Sequence, residues 1–139
     1  MADTASSRIR VDRAACPSPH SSANKAARLL WQAAWLLLFR PSPWFWHAPR
    51  RALLRLFGAQ VGRGAQIMPS ARIWAPWNLA LGDCATIGAG VDVYSVGRIE
   101  IGAHATVSQR AFLCTATHDV DHPNMPLVVA PVKIGAGAW

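Results

Sequence analysis

The chain has 139 residues, of which 52% are hydrophobic and 15% charged. That balance excludes an intrinsically disordered chain, which combines low hydrophobicity with high charge. Ten Gly and ten Pro without a three-residue period exclude a collagen-like one. The net charge of +7 is unevenly placed: residues 1–72 hold 11 of the 14 Lys and Arg against Asp3 and Asp12, a net +9, while residues 73–139 carry −2.

Residues 1–24 are rich in Ser, Ala and Pro and lack the apolar core of a signal peptide, so they read as a disordered tail. Cys16, Cys84 and Cys114 are odd in number and widely spaced, with no CxxC, which argues against a disulfide framework or a structural zinc site and fits a reducing compartment.

Residues 25–58 read as a helical cap. Lys25, Arg28 and Gln32 form a narrow polar stripe on an otherwise apolar helix, with Asn24 as N-cap and Pro41 and Pro43 as stops. The apolar run from Leu29 to Phe39 is too short to span a bilayer. A second helix is predicted from Pro49 to Phe57, with Arg50, Arg51 and Arg55 as its polar face and Gly58 as its stop. Trp44, Phe45 and Trp46 lie among prolines between the two. Two readings stand side by side. Aromatic side chains enter a membrane interface while Arg and Lys meet anionic head groups, or the helices pack on the next domain or a neighbouring subunit. Nucleic acid is a weaker reading, because the arginines lie on helices with greasy faces and no nucleic-acid motif is present.

From residue 59 an internal repeat takes over. Val61, Leu81 and Ile101 each open a segment of the form apolar-Gly-x-x-Ala, 20 residues apart, and Ile134 opens a fourth. Aliphatics follow every six residues: Ile67, Ile87 and Val107, then Ile73, Val93 and Leu113, then Leu79 and Ile99. One inward aliphatic per six residues, grouped in threes, predicts a triangular coil that stacks on its neighbours as a parallel β-helix. Small residues such as Ala65, Ala85 and Ala105 fit where the coil turns, and Gly at the corners relieves backbone strain. Val132-Lys133-Ile134 repeats the form of Ile99-Glu100-Ile101, so thirteen extra residues loop out between Leu113 and Val132. This inserted loop, about 115–131, is a natural place for function on a rigid scaffold.

The repeat, Thr115-Ala116-Thr117-His118-Asp119 and the segment Val132–Trp139 resemble the hexapeptide-repeat acetyltransferases. Leu38–Pro43, Arg55–Ala59, Pro69–Trp74, Pro76–Leu79 and Val91–Tyr94 resemble the colanic-acid biosynthesis acetyltransferases in particular. The resemblance implies a mainly β fold, a left-handed parallel β-helix preceded by short amphipathic helices. It implies a trimer that moves acetyl from acetyl-CoA to a sugar hydroxyl, in exopolysaccharide biosynthesis, in the cytoplasm or at the inner membrane face. By the same resemblance His118 is the general base and Trp139 walls the coenzyme cleft; Asp92 and Tyr94, one coil before Leu113 and Cys114 on the same side of the triangle, either face the acceptor sugar or are ordinary coil residues. Asp119 and His122 read first as residues of a solvated loop and second as candidates to orient His118. No metal is expected. The family continues with further coils, so three turns and a stub are expected to be a truncated enzyme, or a membrane-associated repeat protein without catalysis. A further alternative on the same fold is a zinc enzyme of carbonic anhydrase type, with His104, His118 and His122 as candidate ligands.

Overall fold

A computed structural model describes residues 20–139; the predicted tail therefore lies outside the described residues except at its end. Helix α1 runs Ser22–Ala34, and its N-cap is Ser21, whose Oγ accepts from the Asn24 amide at 3.2 Å. The helix thus starts three residues before the predicted Lys25, because a serine hydroxyl satisfies the first turn ahead of Asn24. It continues as a π-helical segment, Trp35–Phe39, closed by the Arg40 amide on the Trp35 carbonyl at 2.8 Å. Helix α2 runs His47–Leu56 instead of starting at Pro49. Pro49 is its third residue, still in the first turn, where a missing N–H costs no helical bond. Gly58 ends it at φ +87°, as expected of a left-handed C-terminal stop.

The chain then enters the coils. Strands β1 (Gln60–Val61), β4 (Leu79–Leu81), β7 (Ile99–Ile101) and β12 (Val132–Ile134) form one parallel sheet. Strands β2 (Gln66–Ile67), β5 (Thr86–Ile87) and β8 (Thr106–Val107) form the second. Strands β3 (Arg72–Ile73), β6 (Asp92–Tyr94) and β9 (Phe112–Cys114) form the third. Register partners are 20 residues apart, as in Val61 with Leu81, Ile67 with Ile87 and Ile73 with Val93. The exception is β12, where Val132 pairs with Ile99, thirteen residues beyond the regular step. The predicted insertion length is therefore the observed one.

The one-in-six aliphatics are the core: Ile67, Leu79, Ile87, Val93 and Ile99 are wholly buried, as are Ala65, Ala85 and Ala105. Each large aliphatic side chain contributes roughly 1.5–3 kcal/mol by leaving water. The repeat glycines have a different cause from the one expected. A Cβ at Gly62, Gly82 or Gly102 would stand 2.4–2.5 Å from backbone atoms of the next coil, so these positions are glycine because the coils touch there. The left-handed corners lie two residues later and accept side chains: Gly64, Cys84, His104 and Gly137 have φ between +56° and +69°.

The helical segment caps the stack through hydrogen bonds. Amides of the first coil donate to the second: Gly62 to Leu81, Gln66 to Ala85, Met68 to Ile87, Arg72 to Val91, Trp74 to Val93. The equivalent carbonyls of the first coil, those of Val61, Ala65, Ile67, Ala71 and Ile73, have no earlier coil to donate to them. Each receives a side chain instead. Arg55 donates to Val61 (2.6 Å), Arg51 to Ala65 (2.9 Å) and Arg50 Nε to Ile67 (2.7 Å). Trp35 donates to Ala71 (2.8 Å) and Trp31 to Ile73 (2.6 Å). The wholly buried Arg50 also donates to Ser42 Oγ and to the Pro43 and Trp44 carbonyls. The arginines expected as the polar face of α2 all serve this edge, Arg50 buried, Arg51 half-buried and Arg55 exposed. A sheet edge needs donors, and a guanidinium supplies up to five in a rigid fork.

Candidate active site

Two features converge on the β3-β6-β9 sheet, a groove and the inserted loop. The groove, about 640 Å³, lies between this sheet and the helical segment. Parallel in-register pairing stacks Arg72, Asp92 and Phe112 in one row and puts Tyr94 beside Cys114. The Trp74 and Tyr94 rings are 4.8 Å apart and those of Tyr94 and Phe112 are 6.2 Å apart, which makes an aromatic ladder across three coils. Arg72, Trp74, Asp92, Tyr94 and Phe112 line the groove on the coil side, and Trp31, Gln32, Trp35 and Leu36 on the helical side. The Arg28 guanidinium lies over the Trp74 ring, 4.1 Å from its centre. Aromatic faces beside a carboxylate, a guanidinium and an amide suit a ligand with both C–H faces and hydroxyls. Asp92 and Tyr94 therefore share one groove. Gln32, Trp74, Arg72 and Phe112 join them, which sequence reading had not singled out. Their common face follows from the 20-residue register; the helical wall does not.

The inserted loop is an ordered antiparallel ribbon, β10 (Ala116–His118) with β11 (Leu127–Val129), where the sequence suggested only a loop. Its base is fixed by Thr115, 3% exposed. The Thr115 hydroxyl donates to the Tyr94 carbonyl (2.9 Å) and accepts from the Gly97 amide (2.8 Å). The Thr115 carbonyl accepts from the Ala130 amide at 2.9 Å, tying the returning strand down. A Cβ on Gly97 would meet Val129 at 2.5 Å, so that glycine leaves room for the ribbon.

His118 is the last residue of β10, opposite Leu127, and is exposed. Its Nδ1 lies 2.7 Å from the Met125 carbonyl. A carbonyl can only accept, so Nδ1 carries the hydrogen and, in the neutral ring, Nε2 keeps a free lone pair. Met125 sits at φ +41°, an unfavourable conformation for a side-chain-bearing residue that aims its carbonyl at the ring. Neither Asp119 nor His122 supplies the orientation suggested for them. Asp119 Oδ1 accepts from the Asp121 amide (3.0 Å), and His122 Nδ1 from the Asn124 amide (3.2 Å), so both shape the loop. The backbone partner was invisible in sequence because any residue at position 125 offers the same carbonyl.

His118 does not line the groove within one chain. Trp139 is 97% exposed and stands outside it. His104 occupies a coil corner at φ +58°. Among the described residues no group of three or more His, Cys, Asp or Glu side chains is placed to hold a metal ion. Cys84 and Cys114 are free and exposed.

Comparison with known proteins gives the following. No family profile matches the chain. Over 110 residues, 79% of its length, it is 42% identical to the protein named "Putative colanic acid biosynthesis acetyltransferase WcaF" of Escherichia coli K12, and equally to that of Shigella flexneri. The chain spans 60% of the length of these relatives. Among solved structures it is similar to a maltose O-acetyltransferase from Clostridium difficile 630, with a TM-score of 0.66 and 21% identity, covering 84% of this chain and 67% of that one. The structural likeness establishes a shared fold.

Proposed function

We propose that this chain, a relative of the hexapeptide-repeat acetyltransferases, acts in O-acetylation: it moves an acetyl group from acetyl-CoA to a sugar hydroxyl in exopolysaccharide biosynthesis. The observation that carries the reading is the fixed tautomer of His118, on the TATHD segment within a chain 42% identical to WcaF.

A sugar hydroxyl is a weak nucleophile while it holds its proton. The free lone pair on His118 Nε2 takes that proton as the hydroxyl oxygen attacks the thioester carbonyl carbon. The new C–O bond gives a tetrahedral oxyanion, which backbone N–H donors stabilise. Collapse breaks the C–S bond, and the imidazolium returns the proton to the departing sulfur. The products are an acetyl ester and free coenzyme A thiol, and His118 is regenerated neutral. The Met125 carbonyl holds Nδ1–H throughout and stabilises the imidazolium, as a hydrogen-bond acceptor does.

Asp92 and Tyr94 bind the acceptor in the aromatic groove, with Trp74 stacking against the sugar face. His118 lies outside that groove in one chain, which supports a homotrimer in which the groove of one subunit meets the loop of the next. Trp139, fully exposed on one chain, becomes a wall of the coenzyme cleft in that arrangement. The deciding experiment measures acetyl transfer from acetyl-CoA to saccharide acceptors by the chain and by His118→Ala. A loss of about 10²–10⁴-fold is expected of a removed general base. Unchanged activity in His118→Ala removes the assignment, and no activity in the parent chain removes independent catalysis by these 139 residues.

A further inference from the structure

We propose that the outer face of the helical segment docks on an anionic lipid bilayer, lying in its interface and not crossing it. The two sides of this segment are used differently. Trp31, Trp35 and Phe39 recur every four residues and turn toward the coils. On the other side Leu29, Leu30, Leu37 and Leu38 are 63–69% exposed. The loop before α2 adds Trp44, Phe45 and Trp46, each more than half exposed. An apolar groove of about 740 Å³ joins these parts, bordered by Leu37, Leu38, Trp46, Leu53 and Leu56. Contiguous exposed apolar surface of this kind marks an interaction site.

Charge selects the occupant. No Asp or Glu occurs between Arg13 and Gly82. Lys25 and Arg40 are exposed on the same segment, and Arg55, exposed too, gives its donors to the Val61 and Gly62 carbonyls. A second copy docking through the same face would bring these cations together with no acid to offset them. An anionic membrane meets the same cations favourably, and Trp residues prefer the head-group level. No described helix is long and apolar enough to cross a membrane, which leaves an in-plane orientation. The buried Arg50 takes no part, since its donors are committed to protein oxygens.

The test is flotation of the full chain with vesicles of phosphatidylcholine alone or mixed equally with phosphatidylglycerol. Binding to the mixed vesicles is expected to be about tenfold or more stronger at low salt and to weaken as salt rises. The triple variant Trp44→Ser, Phe45→Ser, Trp46→Ser removes only exposed side chains. It should keep the parent circular dichroism and lose about tenfold or more in binding. Brominated lipids should quench the parent chain's tryptophan fluorescence but spare Trp44→Phe, Trp46→Phe to a measurable degree, a readout that does not depend on flotation. Absence of flotation with mixed vesicles overturns the proposal. So does flotation indifferent to lipid charge and to the triple substitution. A triple variant that changes only the sedimentation coefficient, with no vesicle binding by the parent, assigns the face to a second copy.

Discussion

The coils and the helical segment ahead of them solve the same problem by opposite means. In the first three coils the inward aliphatics and the inter-coil hydrogen bonds recur 20 residues later, so neighbours satisfy one another by translation. The first coil has no neighbour on one side. There five unrelated side chains, Trp31, Trp35, Arg50, Arg51 and Arg55, stand in for the backbone donors of a preceding coil. The lesson is that side-chain donors close the stack from within an apolar inner face, where Trp31, Phe39 and Leu54 are buried, while Leu29, Leu30, Leu37 and Leu38 stay exposed.

The largest effect expected from breaking this contrast is on the coil side. Gly82→Ala puts a methyl 2.4 Å from the Ala103 amide nitrogen. Because backbone cannot yield as a side chain can, we expect a loss of about 3 kcal/mol or failure to fold, read by denaturant titration. Gly135→Ala is the control, since nothing lies within 4 Å of its Cβ position, and should leave the midpoint unchanged.

On the cap side, Arg50→Met keeps an unbranched apolar stem and removes the donors. It strands carbonyls of Ile67, Pro43 and Trp44 and should cost about 3 kcal/mol. If Arg50→Met is neutral, packing alone closes the stack and the donor argument fails. Trp35→Phe loses one donor to Ala71 and should cost about 1 kcal/mol, measured the same way.

Thr115→Val tests the junction of coil and ribbon. It removes the bonds to Tyr94 and Gly97 at a cost of about 1–2 kcal/mol. Acetyl transfer should fall further than stability, because the ribbon carries His118; a proportionate loss of both would reduce Thr115 to a structural role.

The smallest effect is in pH. Burial lowers the pKa of His47 below its ordinary 6.5, and Arg50 and Arg51 lower it further against a bond to Ile67 that raises it. The Nδ1 of His47 lies 3.2 Å from both Arg50 and the Ile67 carbonyl. It cannot donate and accept at once, and a neutral ring accepting from Arg50 agrees with the direction of the shift. Below pH 6.5 the unfolded chain binds the proton before the folded one does. Stability is therefore fully present above that pH, falls as pH drops through the window, and levels off below the folded value. His47→Gln should flatten this part of the curve in thermal melts at pH 5–7.

Much of the molecule was legible from residues alone, for particular reasons. A period of six grouped in threes defines each sheet, and the displaced Val132 gives the insertion its length, because register is an arithmetic property of sequence. His118 was singled out by its place in that insertion and by resemblance. Its orienting partner was not, since the Met125 carbonyl belongs to backbone conformation. The repeat glycines were legible as a pattern but not in their cause, which is the close approach of the next coil.

The helices show the same division most sharply. Their existence follows from caps, prolines and apolar content, all local properties. Which side faces inward was decided by the open edge of the first coil, a demand created by residues 61–73 and met by residues 31–55. The sequence by itself determined the repeat, its register and the similarity to WcaF. Only the tertiary structure decided that the arginines and two tryptophans close the stack, because unsatisfied backbone carbonyls become visible only once the coil that exposes them has formed.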